Sequence, residues 1–263
     1  MERTEHEPPE GTPGTREDPY GPRRTHVGPL WPDLPARFRE PELMDDPTLD
    51  EARHHDALSG LARLNRVSLT HRRVFREVAR QSSRGVRPVR ILDVGCGDCD
   101  ILIRVVRRAR RHGIDVRPFG CDVSDVALER AHRRAVASGV SLELARLDVT
   151  RDALPGGFDV VTCSLLLHHL TEPASVELLT GMARAGRRLL VQDLRRTRLG
   201  YLLAWIGVHA LSRSRVVRVD GLRSVRAAYT LDEVAALCGR AGLHDAVVTR
   251  CWPQRFAIRW EAP

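Results

Sequence analysis

The chain has 263 residues, of which 42% are apolar and 29% charged. This length suits one domain with appendages, and the apolar fraction excludes a wholly disordered chain. All 42 basic residues are arginine, and they give a formal net charge of +8 that would on its own favour nucleic acid or an anionic membrane.

The charge is unevenly distributed, because the first 50 residues hold 12 acids against 6 arginines. Residues 1–42 also hold nine of the 16 prolines. Such a segment buries too little apolar surface to offset its ordering entropy, so we predict a disordered, proline-rich acidic tail over 1–42. Apolar residues at helical spacing follow, and they predict an N-terminal helical cap or lid over 43–85.

The sequence pattern shows neither a secretory signal nor a membrane span. The N-terminus lacks the basic-then-apolar sequence of a signal peptide, and the longest apolar stretch, 201–211, is half a bilayer span. We therefore expect a cytoplasmic protein without stable membrane insertion. The arginines of 104–111 have no aromatic neighbours for base stacking, which argues against a nucleic-acid partner.

Residues 86–263 form the predicted main domain, in which strand and helix patterns alternate. The predicted strands are 89–94, 116–121, 141–147, 158–163 and 187–192, and the predicted helices are 100–112, 124–138, 173–185 and 230–241. This rhythm predicts an α/β fold with a mostly parallel sheet and helices on both faces. Two further apolar runs, 246–251 and 256–260, predict an antiparallel C-terminal hairpin.

The strongest motif is the segment 91–100, where a predicted strand runs through a glycine turn into a helix. Glycines allow the sharp turn and a close approach of a ligand to the backbone. Asp98 and Asp100 would repel the pyrophosphate of a dinucleotide, whereas a cationic sulfonium would be accepted. Cys96 and Cys99 form a C-x-x-C, but no second ligand pair accompanies it, so we predict no metal site.

The D-x-G-x-G of residues 93–97 resembles motif I of the class I S-adenosylmethionine-dependent methyltransferases. This resemblance implies a Rossmann-like seven-stranded sheet and S-adenosyl-L-methionine as the cofactor. It also implies an acidic ribose ligand after the second strand and an adenine contact after the third. The implied cofactor-binding residues are Asp93, Gly95, Cys96, Gly97, Asp122, Val123, Asp148, Val149 and Ser164. Cys99 departs from the family pattern, which has a third glycine there.

The predicted fourth strand is followed by His168 and His169, and the fifth by Asp193. Histidine titrates near neutrality and suits the deprotonation of a phenol. The pair His168 and Asp193 resembles a His/Asp arrangement of some natural-product O-methyltransferases. It implies His168 as the general base, Asp193 as its orienting group and His169 at the acceptor. A purely structural histidine is the alternative.

The long segment 194–229 resembles the insertion that forms the acceptor lid in small-molecule methyltransferases. Tyr201 and Trp205 would then line an apolar acceptor pocket. Core packing and a homodimer contact are the alternatives for this segment.

These patterns together predict a methyltransferase that O-methylates a small hydrophobic or phenolic, polyketide-like metabolite. C-methylation of a quinone-like ring is an alternative within the same fold. A cofactor-binding protein that lacks catalysis is an alternative from another class. A nucleic-acid methyltransferase is disfavoured, because residues 164–167 lack the Asn/Asp-Pro-Pro-Phe/Tyr sequence usual in that group.

Overall fold

The computed structural model describes residues 34–45 and 50–263. Its centre is a seven-stranded sheet with the strand order β3-β2-β1-β4-β5-β7-β6. The strands are β1 (Val89–Val94), β2 (Val116–Asp122), β3 (Glu143–Arg146), β4 (Val160–Ser164), β5 (Arg188–Leu194), β6 (Val247–Cys251) and β7 (Arg255–Glu261). The first five are parallel, and β7 is antiparallel to both β5 and β6. The predicted parallel sheet with an antiparallel C-terminal pair is therefore confirmed.

Eight α-helices accompany the strands in the ranges that the structure describes. They are α1 (Glu51–Ser68), α2 (Thr70–Ser83), α3 (Asp100–Arg111), α4 (Asp125–Ala137), α5 (Glu172–Ala185), α6 (Arg198–Leu211), α7 (Arg215–Ala227) and α8 (Leu231–Arg240). Thr230 begins α8 with a capping box to Glu233. Sequence analysis did not single out α7 as a helix.

The two faces of the sheet bury separate apolar clusters, as a parallel sheet with near-continuous apolar strands requires. On one face, Leu178 and Met182 of α5 and Leu237 of α8 pack against the strands. On the other face, Val78 of α2 and Leu102 of α3 do so. Helices on both faces were predicted and are confirmed.

A layer of helices covers the carboxyl end of the sheet. Ala57 of α1 packs with Val208 of α6 and Val217 of α7. Gly221 allows the close approach of α6 and α7, because a Cβ there would meet the Val208 side chain at 2.6 Å. This layer combines the predicted N-terminal cap with the predicted insertion at 194–229. None of the helices within the described ranges is long and apolar enough to cross a membrane.

Residues 34–45, which we call the strap, lie along α7 and the end of β4. The Arg37 guanidinium donates to the carbonyl oxygens of His168 at 2.9 Å and Leu170 at 2.8 Å. The Asp220 carboxylate accepts from the backbone N–H groups of Leu43 and Met44. Residues 34–42 are thus bonded to the fold, and the prediction of a disordered tail extending to residue 42 is wrong over that part. Residues 1–33 of the predicted tail lie outside the described ranges.

The turn between β1 and α3 adopts an unusual conformation at Cys99. This residue has φ +54° and is fully buried, although left-handed backbone normally favours glycine. Gly120 on β2 makes room for it: a Cβ at Gly120 would lie 3.0 Å from the Cys99 sulfur and 2.9 Å from the Cys96 sulfur. Gly120 thus supplies the space that the Cys99 side chain needs at this left-handed position.

We predict that Gly120→Ala lowers the free energy of unfolding by about 1–3 kcal/mol, because the added methyl overpacks against both sulfurs. The cost should be smaller in a Cys99→Gly background, which removes one of them. Urea denaturation of the four proteins of this double-mutant cycle measures the coupling. Gly239→Ala on α8, where no atom lies within 4 Å of the added methyl, is the matched control. Equal costs in both backgrounds would contradict the compensation.

Candidate active site

One cavity of about 940 Å³ opens at the carboxyl ends of the parallel strands. This is the edge at which open α/β sheets bind ligands. All nine residues predicted to bind the cofactor line this cavity: Asp93, Gly95, Cys96, Gly97, Asp122, Val123, Asp148, Val149 and Ser164. His168 and His169 line it as well. The structure therefore brings together residues that are separated by up to 76 positions in the chain.

Asp122 is positioned at the end of β2 by two backbone bonds. Its Oδ2 accepts from the Gly97 N–H at 2.8 Å, and its Oδ1 accepts from the Ser124 N–H at 3.0 Å. Each carboxylate oxygen keeps a further lone pair, because an ionised carboxylate offers about four acceptor sites. The carboxylate can therefore accept two hydroxyl donors from a ligand in the cavity.

Asp93 lies at the end of β1 and is only 3% exposed. Its Oδ1 accepts from the Thr162 hydroxyl at 2.8 Å. Burial raises the pKa of Asp93 to about 7, and the nearby Asp122 carboxylate adds to the rise while the Thr162 hydrogen bond opposes it. A cationic ligand group in the cavity would stabilise the ionised form.

Asp148, after β3, is half-buried, with a side chain that is 33% exposed, whereas Asp93 is buried. Its Oδ1 accepts from the backbone N–H of Thr150 at 3.0 Å and from the Thr150 hydroxyl at 2.6 Å. These hydrogen bonds lower the pKa of Asp148 below its ordinary value. The side chain is held at the far end of the cavity from His168.

Asp98 and Asp100 are not the free carboxylates that the sequence suggested. Arg134 bonds to both, and Arg130 and Arg104 each pair with one of them. Because these arginines neutralise them, the argument that the two acids select a sulfonium by charge is wrong. The negative charge at this end of the cavity comes from Asp122 and Asp148 instead.

The residues present fit S-adenosylmethionine. Gly97 has φ +53° and open space where a side chain would stand, so a ligand can contact its backbone. In the site that the resemblance implies, Asp122 would accept from the ribose hydroxyls and Asp148 from the adenine amino group, and the buried Asp93 carboxylate would balance the charge of the methionine ammonium.

His168 lies in a short 3-10 helix, Leu167–His169, and is 3% exposed. Its Nδ1 lies 2.7 Å from Oδ1 of Asp193, as predicted for an orienting carboxylate. The other oxygen of Asp193 accepts from the His168 backbone N–H at 3.2 Å. Asp193 therefore fixes both the ring and the backbone of His168.

Glu42 is a site residue that sequence analysis missed. Its carboxylate reaches the cavity from the strap, with Oε1 lying 3.7 Å from Nε2 of His168 and Oε2 lying 3.8 Å from Nε2 of His169. The Ser224 hydroxyl of α7 donates to it. No periodicity or motif surrounds Glu42, so the sequence offers no signal for its position.

The two carboxylates decide the charge of His168. Burial by itself lowers the pKa of His168, but the Asp193 carboxylate and then Glu42 outweigh it and raise the pKa to about 10. The same contact lowers the pKa of Glu42 against the effect of its burial. His168 is thus an imidazolium at neutral pH in this structure.

Glu42, His168 and His169 also offer three ligand atoms within 4.8 Å of one another. This set matches the donors that a divalent metal accepts. The ring nitrogens already face carboxylate partners, and the sequence-based prediction of no metal stays a prediction.

The apolar wall of the cavity comes from α6, but from a different face than predicted. Gly200, Leu203, Ala204 and Gly207 line the cavity. Tyr201 is buried away from it, and Trp205 stacks on His209 with ring centroids 4.7 Å apart. Neither is among the lining residues, so we revise their predicted acceptor contacts. A helix turns about 100° per residue, which places 201 and 205 beside the lining stripe.

The sequence matches a family model described as a methyltransferase domain over residues 91–188. The ubiquinone biosynthesis O-methyltransferase of Methylococcus capsulatus is 35% identical over 125 residues, which are 46% of this chain and 50% of that protein. The enzyme of the same name from Bordetella parapertussis is 32% identical over 157 residues, 59% of this chain and 61% of that protein. The chain thus spans little more than half the length of these relatives.

Solved structures of methyltransferases share the fold. A SAM-dependent methyltransferase from Aquifex aeolicus superposes with a TM-score of 0.56 at 17% identity, covering 81% of this chain and 98% of that one. The plantazolicin methyltransferase BpumL, solved in complex with a monoazolic desmethylPZN analog and SAH, gives a TM-score of 0.57 at 15% identity, covering 81% of this chain and 96% of that one. Both structures are less than 25% identical to this chain, so they support the fold and not the roles of individual residues. Residues 91–188 therefore match the methyltransferase domain family, and the fold is that of solved S-adenosylmethionine-dependent methyltransferases.

Proposed function

We propose that the chain transfers a methyl group from S-adenosylmethionine to a hydroxyl of a small, apolar, phenolic metabolite. One observation carries this proposal: a single cavity joins the predicted cofactor residues on β1 to β3 to the His168–Asp193 pair after β4 and β5. The lining stripe of α6 makes the acceptor side apolar, as small-molecule pockets are.

The curated relatives support oxygen as the atom methylated. Both are named as O-methyltransferases of ubiquinone biosynthesis, whose name indicates a quinone-type ring. A polyketide-like phenol presents the same hydroxyl chemistry on a ring. Cytoplasmic location and a homodimer contact stay predictions.

S-adenosylmethionine, when bound, supplies a sulfonium methyl that needs little covalent activation. The protein therefore contributes chiefly by positioning. The Asp122 carboxylate is held by two backbone N–H groups, so it can orient the ribose without reorganising. The helical layer above the cavity excludes water from the acceptor side.

His168 and Glu42 govern the acceptor proton. A phenol has a pKa near 10, and the pKa of His168 is raised to about 10 as well, so a proton passes between the two at little cost. At neutral pH the ring is an imidazolium, so this route depends on the neutral fraction, which grows as the pH rises towards about 10. The neutral ring accepts the phenolic proton at Nε2, and Asp193 and Glu42 stabilise the imidazolium that results. Asp193 and Glu42 are positioning residues, since they act through His168.

Asp122→Ala should weaken binding of S-adenosylhomocysteine by about 10- to 100-fold, because it removes the charged acceptor for the ribose hydroxyls. Calorimetry measures this. Asp125→Ala is the matched control, since Asp125 lies nearby in α4 but pairs with Arg146 at 3.4 Å outside the cavity. Absence of binding by the intact chain would contradict the cofactor assignment.

His168→Asn should reduce methyl transfer by about a hundredfold while leaving cofactor affinity unchanged, because it removes the base and keeps the ring site polar. Transfer of labelled methyl into a panel of phenols measures the rate. Turnover equal to that of the intact chain would show that His168 is a structural residue and not the base.

Glu42→Gln should lower the pKa of His168, because one of the two carboxylates that raise it becomes neutral. The rise of the transfer rate with pH should then move to lower pH. Nitrogen-15 NMR of the histidine rings follows the titration directly. Glu40→Gln is the control from the same strap, because Glu40 pairs with Arg226 instead. An unchanged His168 titration in Glu42→Gln would contradict the role of Glu42.

The titration of His168 also changes the free energy of unfolding with pH. The folded pKa of His168 lies above its ordinary 6.5, so its stabilising contribution is complete below pH 6.5 and is lost as the pH rises towards about 10.

A further inference from the structure

We propose that Ser164, Gln192 and Arg255 form a binding site for a carboxylate on the methyl acceptor. This inference rests on the proposed acceptor cavity and deepens it by giving the class of substrate: an aromatic hydroxy acid or a similar anionic phenol.

The three side chains lie side by side on one face of the sheet. Ser164 of β4 is in register with Gln192 of β5, and Gln192 is in register with Ala257 of β7, two residues from Arg255. Residues two apart on a strand share a face, so all three point to the side covered by α2. Ser164 and Arg255 line the cavity.

Each of the three carries a buried polar atom without a hydrogen-bond partner among the described residues. These atoms are Oγ of Ser164, Nε2 of Gln192 and Nε of Arg255. Gln192 is 1% exposed and Arg255 is 5% exposed. An unsatisfied buried donor costs about 1–3 kcal/mol, so three neighbouring ones indicate a missing partner.

The missing partner is an acceptor with negative charge. Arg255 donates from Nη1 to the Thr70 hydroxyl at 2.9 Å, and no carboxylate lies within ion-pair distance of it in the described ranges. Burial lowers the pKa of Arg255 to about 10, which Asp193 opposes and the nearby Arg73 reinforces. Arg73 itself reaches Oε1 of Gln192 at 3.5 Å. Arg73 also donates to the carbonyl oxygens of Ser68 at 3.2 Å and Trp252 at 3.3 Å, so Arg255 is the guanidinium of the two with a donor left over.

Arg255 differs from Arg196, the other buried arginine of the described ranges, in having no carboxylate pair. Arg196 is similarly buried at 6% exposure, and it pairs with both oxygens of Glu233 and donates to the Ala228 carbonyl. Arg255 has no such carboxylate pair. A buried cation with no carboxylate in contact destabilises a fold, even with Asp193 nearby, which favours a ligand role over a packing role.

A carboxylate fits these donors well. Its two oxygens can accept from a guanidinium fork, an amide N–H and a hydroxyl in one plane. Either the acceptor or the methionine end of the cofactor carries such a group. Ser164 was predicted to contact the cofactor, and on β4 it lies between the cofactor residues of β1 to β3 and the other two members of this site. We assign the site to the acceptor, because Gln192 and Arg255 lie on β5 and β7, and the Asp193 charge acts on Arg255.

The test is calorimetric titration with 4-hydroxybenzoate and with 4-hydroxybenzamide, its neutral isostere. Both titrations are made with and without S-adenosylhomocysteine. We expect the intact chain to prefer the acid by about tenfold or more, as a charge-assisted pair implies. Arg255→Gln should abolish the preference, and Gln192→Leu should reduce it. Neither variant should change the affinity for S-adenosylhomocysteine.

Arg250→Gln, an exposed arginine on the neighbouring strand, is the matched control and should keep the preference. Arg255→Gln should not lower the melting temperature, since it removes an uncompensated buried charge. Equal affinity for acid and amide in the intact chain, including no binding of either, would overturn the inference. Loss of S-adenosylhomocysteine affinity in Arg255→Gln would overturn it in favour of the cofactor carboxylate. Failure of the intact chain to bind S-adenosylhomocysteine would instead contradict the proposed function.

Discussion

The contact of His168 with two carboxylates is the interaction that joins the parts of this molecule. Asp193 comes from the sheet, His168 from the segment after β4, and Glu42 from the strap. A buried imidazolium is stable only with such partners, because burial alone favours the neutral ring. The strap is consequently held over the acceptor side of the cavity by charge as well as by the Arg37 hydrogen bonds.

Charge also divides the cavity into two ends. The cofactor end carries the half-buried acids Asp122 and Asp148, while Asp98 and Asp100 are neutralised by arginines. The acceptor end carries the histidine pair and, across the sheet face, the guanidinium of Arg255. A sulfonium cofactor would therefore bind at the acidic end, and an anionic phenol would bind at the cationic end. The positive net charge of the chain therefore tells little about its ligands, and the local arrangement tells more.

The sheet and the cofactor end could be predicted from the sequence because their signals are local. Apolar runs of strand length mark β1 to β5, and Asp93, Asp122 and Asp148 each follow such a run at a fixed place. His168 and Asp193 follow the same logic at the ends of β4 and β5, which are neighbours in the sheet.

The strap and the polar site at Arg255 could not be predicted, because their contacts depend on tertiary placement. Arg37 binds backbone carbonyl oxygens some 130 residues away, and no composition signal marks those acceptors. Arg255 looks like one arginine among 42 until the partners around it are known. The face of α6 was misassigned for a related reason: an apolar helix with few polar residues does not indicate which stripe faces a cavity.

The most direct test of the proposed activity is carbon-13 NMR of the product formed from methyl-labelled S-adenosylmethionine and a phenolic hydroxy acid. The account predicts a transferred methyl with the chemical shift of an aryl methyl ether, formed only in the presence of the chain. A methyl signal on ring carbon, or no transfer to any phenol by a chain that binds S-adenosylhomocysteine, would contradict it.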